Sequence, residues 1–86
     1  MKDDYAWDAR KCATNIAKRG IDFDDAIQIF DGPHCEFSSP RNEEARYVAI
    51  GEVEGVIVAV VYTLRDDTRR IISARRARKN EERDYY

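Results

Sequence analysis

Residues 56–77 read VIVAVVYTLRDDTRRIISARRA, and this run sets the architecture of the chain. From Val56 to Leu64 nearly every position is apolar, which marks a central strand covered on both faces. Arg65-Asp66-Asp67-Thr68 turns the chain, and RRIISA follows as the next strand. Upstream, ARYVAIGEV (residues 45–53) forms another strand and Glu54-Gly55 turns it into Val56. Connections this short join antiparallel neighbours, so the three strands form a meander. CEF (35–37) reads as a further short strand and SSPRNEE (38–44) as a polar loop.

Toward the N-terminus, YAW (5–7) reads as a short edge strand and Asp8 as a helix N-cap. Ala9, Cys12, Ala13, Ile16 and Ala17 recur at helical spacing as one apolar stripe, and Gly20 stops the helix. A second helix begins near Asp22, with Phe23, Ala26, Ile27 and Phe30 inward, and Asp31-Gly32-Pro33 ends it. Asp22, Asp24 and Asp25 suit its first turn, where the helix dipole favours negative charge. The expectation is an α+β fold: an N-terminal helix hairpin on a small antiparallel sheet, with a short C-terminal helix or tail after Ala77. The hairpin covers one face of the sheet only, so a partner chain is the natural cover for the other.

At 86 residues the chain makes a single domain, 1–86, with one modest core. No stretch approaches the length of a membrane span, and the acidic start MKDDYAWD is unlike a signal peptide, so the expected location is the cytoplasm. Cys12 and Cys35 read as buried free thiols, with a disulfide the alternative. His34 is the single histidine and has no companions at metal-ligand or triad spacing, so no metal or cofactor is expected. The net charge of −2 hides a split. Residues 1–64 carry 7 Lys/Arg against 12 Asp/Glu, whereas residues 65–86 carry 8 against 5. Local potential decides where a polyanion docks, so the basic end remains open to RNA.

Strict alternation along the last strand places Arg69, Ile71, Ser73 and Arg75 on one side and Arg70, Ile72, Ala74 and Arg76 on the other. Arg46 opens the first long strand and Arg65 closes the central one, so both can gather with Arg75 at the strand ends. Two readings stand at this point. Arginine's planar fork matches phosphate oxygens and can stabilise charge that builds during RNA cleavage. Alternatively, these arginines make surface ion pairs with Glu43, Glu44, Glu81 and Asp84, which contribute little. Glu44 beside Arg46 is a candidate general base on a ribose 2′-hydroxyl, or a salt-bridge partner. Lys11, Asn15 and Lys18 line one face of the first helix, as an RNA contact or a solvated surface. Tyr85 stacks on a base, donates a proton, or packs the helix tail on the sheet.

The order of the pieces carries more. YAWD, then Lys11, Asn15, Lys18 and Gly20, then IDFDDAIQIFDGP, EEARYVAIG, VVYTLR and RRIISARRARKNEERDYY closely resembles the BrnT toxin family across nearly the whole chain. The spacing from Trp7-Asp8 to Lys11, and the RIISAR segment continuing to Ala77, Glu81 and Tyr85, are its most specific parts. The resemblance implies a RelE-like fold and metal-independent ribonuclease activity that halts translation. It implies a BrnA-type ribbon-helix-helix antitoxin partner that alone contacts operator DNA, in a heterotetramer. Matched by position, it implies Arg46, Arg65, Arg75 and Tyr85 for phosphate and transition-state contacts, with Glu44 as a further catalytic candidate and Lys11 as an RNA contact; Lys18, Arg19 and Arg69 are further candidate RNA contacts of this chain. One departure stands out: many members have Lys-His-Gly where this chain has Lys18-Arg19-Gly20. Arginine keeps a phosphate contact but exchanges no proton near neutral pH. A catalytically weak homologue that acts as an antitoxin-binding corepressor is therefore the alternative function.

Overall fold

A computed structural model of the protein describes residues 4–39 and 45–86. The elements run β1 (Tyr5–Trp7), α1 (Ala9–Arg19), α2 (Phe23–Ala26), a 3-10 turn (Ile27–Asp31), β2 (His34–Ser38), β3 (Arg46–Val53), β4 (Val56–Arg65), β5 (Thr68–Arg76) and α3 (Lys79–Tyr85). The sheet order is β1-β5-β4-β3-β2. The chain begins at one edge, crosses the sheet on its helical segments, re-enters at the far edge, and returns by hairpins until β5 lies beside β1. The turns at Glu54-Gly55 and Asp66-Asp67 are both two-residue loops with positive φ at each position, the geometry that matches the twist of the flanking strands.

The sequence-based architecture needs correction in four places. No N-terminal helix hairpin forms. The short strand expected at residues 5–7 is present ahead of α1, but the segment after α1 is a single helical turn followed by a 3-10 turn. Phe23 and Ala26 of the α-turn and Ile27 and Ile29 of the 3-10 turn are all buried. The cause is a close approach: a Cβ on Gly51 would lie 2.5 Å from the Cβ of Ile29, so this segment sits directly on β3 where there is no side chain.

Second, the sheet is mixed, because β1 pairs in parallel with β5 through Tyr5–Arg69, Ala6–Arg70 and Trp7–Ile71. Third, α1 does not lay its apolar stripe on the sheet. Ala9, Ala13, Ile16 and Ala17 are exposed, Cys12 is half-buried, and Asn15, only 6% exposed, is the residue turned inward. Its Oδ1 accepts from the backbone N–H of Ala74 at 3.2 Å and its Nδ2 donates to the carbonyl of Ile21 at 2.8 Å. Beyond Trp7, β5 is an open edge, and Asn15 satisfies a donor there that would otherwise be buried without a partner.

Fourth, the second face of the sheet is covered in part from within the chain. On the helix face lie Phe23, Ala26, Ile29, Ala49, Val60, Tyr62, Ile71 and Ala74. On the opposite face, Val48, Ile50, Ile57 and Ala59 pack under Ala77 and Tyr85, which bring α3 onto the sheet. Among the described residues no helix is long and apolar enough to cross a membrane.

Candidate functional site

The α3 face of the sheet carries the concentrated chemistry, and a one-residue irregularity decides who belongs to it. Val61 pairs with Ser73, but Tyr62 pairs with Ile71, so Ile72 is an extra residue bulged out of β5. A bulge of this kind reverses the side-chain alternation beyond it. Ile71 and Ala74, three apart, both pack in the helix-face core. Arg70 therefore shares a face with Ser73 and Arg75, and Arg69 does not. Across the strands the α3 face reads in rows: Arg46–Thr63–Arg70, then Val48–Val61–Ser73, then Ile50–Ala59–Arg75. Arg65 lies one alternation beyond Thr63 on the same face.

A groove of about 440 Å³ runs between this face and α3. Arg46, Ser73, Arg75 and Arg78 line it with Asn80, Glu81 and Asp84, over an apolar floor of Val48 and Val61. Arg75 is engaged there. Its Nη1 and Nη2 donate to Glu81 at 2.7 and 2.9 Å, and Nη1 also meets the carbonyl of Arg76 at 3.3 Å. Glu81 is 5% exposed and also accepts from the backbone N–H of Arg78 at 2.7 Å, an N3 carboxylate closing the first turn of α3. Each partner fixes the other's charge. The Arg75 hydrogen bonds hold the Glu81 carboxyl below its usual range against the pull of burial. The Glu81 hydrogen bonds raise Arg75 above its ordinary value, with burial opposing.

The helix face treats its arginine differently. The Arg69 guanidinium lies 4.1 Å from the Phe30 ring centroid, 5.5 Å from Tyr62 and 6.0 Å from Tyr5. It pairs with Glu36 at 3.7 Å, while Tyr62 donates its hydroxyl to the same Glu36 oxygen. Burial, and then the hydrogen bond to Glu36, push the Tyr62 phenol up to about 12. The Nε of Arg69 is buried without a hydrogen-bond partner. This is a structural knot that ties β2, β4 and β5 together under the aromatic rings.

The remaining expected residues disperse. Lys11, Lys18 and Arg19 line a groove of about 300 Å³ between α1 and β5, with Arg10, Ile72 and Ser73. Ser73 lines both grooves, so the bulge is where they meet. Tyr85 is half-buried against the α3-face core and rests edge-on to Tyr86 at 5.2 Å; it does not line the groove. Glu44 lies outside the described residues. His34 Nδ1 meets the carbonyl of Gly32 at 2.9 Å and its ring stands edge-on to Phe30. Both cysteines are free and half-buried, and burial raises both thiols. Among the described residues no cluster of His, Cys, Asp or Glu is arranged to hold a metal. Sequence reasoning did not place Arg70 on this face. Adjacent Ile71 and Ile72 gave no sign of which one faces the core.

Fold and site together define a small α+β protein with an arginine-rich groove between the sheet and α3. A family model described as the ribonuclease toxin BrnT of type II toxin–antitoxin systems matches residues 7–81. The 1.1 Å crystal structure of the Brucella abortus ribonuclease toxin BrnT is similar, with 35% identity and a TM-score of 0.67 over 87% of this chain and 96% of that one. None of the curated proteins compared with the chain matches it. The chain belongs to the BrnT family of ribonuclease toxins.

Proposed function

We propose that this chain is a metal-independent endoribonuclease whose α3 face holds the RNA backbone, that its activity inhibits translation in the cytoplasm, and that a BrnA-type ribbon-helix-helix antitoxin neutralises it in a heterotetramer. The observation that carries this reading is the groove with Arg46, Arg75 and Arg78 along its walls in a chain of this family. In such cleavage a base takes the ribose 2′-hydroxyl proton and the 2′-oxygen attacks phosphorus. The bond to the 5′-oxygen breaks as that oxygen gains a proton. Charge builds on the non-bridging oxygens, where guanidinium groups act without transferring a proton. Arg46 and Arg65 flank the open end of the face, and Glu44 is the proposed base. Arg75 works together with Glu81, and Tyr85 anchors the helix that carries Glu81. Lys11, Lys18 and Arg19 extend the phosphate track along α1, whereas Arg69 serves the fold.

The test is cleavage of purified single-stranded RNA by the isolated protein in EDTA, repeated with the antitoxin added. The expected result is cleavage that EDTA spares and the antitoxin abolishes; no cleavage of any RNA by the folded protein refutes it. A second reading, a corepressor that binds antitoxin without cleaving, is favoured by one observation: both terminal nitrogens of Arg75 are taken by Glu81. It predicts intact antitoxin binding with no cleavage.

A further inference from the structure

We infer that Arg70, turned onto the α3 face by the bulge at Ile72, is a phosphate-contacting residue of the active face, acting across Thr63 from Arg46. The inference rests on the ribonuclease reading above and adds a residue to it.

The register carries the argument. Arg46, Thr63 and Arg70 are direct cross-strand partners in one row, with β4 between the two arginines. Neighbouring strands lie about 4.8 Å apart, so the two arginine backbones stand on the order of 10 Å apart. Two long guanidinium arms from such positions can converge on the oxygens of one phosphate. Between them Thr63 is 8% exposed, so the floor of the row is closed and a ligand must sit above it. Arg70 itself is exposed, and among the described residues it enters no ion pair. That sets it apart from its neighbours in sequence. Arg69 is caged by rings and Glu36, and Arg75 is held bidentately by Glu81. An arginine with neither partner on a face of like charges lowers its energy most when an anion binds.

The bulge is the device that makes the difference. Without the extra residue, Arg70 would point to the helix side and Arg69 to the active face. Bulges recur beside functional sites because they re-aim a side chain in this way. Here the re-aiming separates two consecutive arginines into one that holds the fold and one that meets the ligand.

The experiment compares wild type, Arg70→Ala, Arg70→Lys and Arg69→Ala. It measures thermal unfolding, kcat/KM on single-stranded RNA, and the salt dependence of binding to a 2′-O-methyl RNA that cannot be cut. For Arg70→Ala we expect an unchanged Tm, a loss on the order of 100-fold in kcat/KM, and a salt slope smaller by about 1. Arg70→Lys restores the slope but little of the rate, because lysine lacks the bidentate fork. Arg69→Ala lowers Tm and leaves the slope unchanged. Wild-type kcat/KM or an undiminished salt slope in Arg70→Ala overturns the inference. A wild type that binds but does not cleave removes the ribonuclease reading, and the Arg70→Ala slope then decides the inference alone. A wild type that neither binds nor cleaves removes both.

Discussion

Arg69 and Arg70 are neighbours in sequence and opposites in the fold. On the helix face, Arg69 is enclosed by Phe30, Tyr62 and Tyr5 and tied to Glu36, and its Nε has no hydrogen-bond partner. On the α3 face, Arg70 stands exposed in a row with Thr63 and Arg46. The same side chain is structural where rings and a carboxylate desolvate it, and available where they do not. The α3 face is also a mixture: Arg75 shares it with Arg70 but is consumed by α3. Stability should therefore be sensitive on the helix face and at the Arg75–Glu81 clamp, and insensitive at Arg70.

The largest effect is expected where the clamp is broken from one side. Arg75→Ala leaves Glu81 buried without its partner and should cost about 3 kcal/mol, read by urea unfolding. Glu81→Gln tests the same contact by pH. Arg75 holds the folded Glu81 carboxyl below its ordinary value of 4.5, so the folded state gives up this proton more readily than the unfolded chain. The stability it adds is complete above the unfolded value and drains away as pH falls through the lower, folded one. The gap in Tm between wild type and Glu81→Gln should persist at neutral pH and close in acid. A gap independent of pH would refute the clamp.

Next comes the helix face. Gly51→Ala forces a Cβ to within 2.5 Å of Ile29 and should destabilise by about 2 kcal/mol, because the 3-10 turn must lift from β3. Removal of Arg69 should cost about 1 to 2 kcal/mol through lost ring contacts and packing. Arg70→Ala should change stability by less than about 0.5 kcal/mol. Equal losses at the two positions would dissolve the contrast between the faces.

A small effect of opposite sign is expected at the turn that both faces share. Asp66 and Asp67 hold φ of 53° and 69°, a region glycine enters without a Cβ clash. Asp67→Gly should stabilise by about 0.5 kcal/mol, seen as a Tm rise of a few degrees in a domain of this size. A fall in Tm would mean that the aspartate side chain contributes more to the turn than its backbone strain costs.

Much of this molecule was legible in the order of its residues. The meander of β3, β4 and β5, both two-residue turns, and the Asp8 and Gly20 caps of α1 follow from local chemistry, and all are present. So are the basic character of the C-terminal quarter and the resemblance that the family match supports. The expected second helix is cut to one turn because Ile29 packs directly on β3 at Gly51, a contact that local helical periodicity in Phe23–Phe30 does not signal. The α1 stripe failed because its alanines are too small to compete with Asn15, whose amide answers a strand edge 59 residues away. What only the tertiary structure decided is who meets whom: β1 beside β5, Glu81 on Arg75, and the bulge that exchanges the faces of Arg69 and Arg70. Two consecutive isoleucines satisfy either register equally, so local pattern carries no signal there. The choice is made by packing against Tyr62 on the neighbouring strand and by a hydrogen bond to Asn15 on a helix remote in sequence.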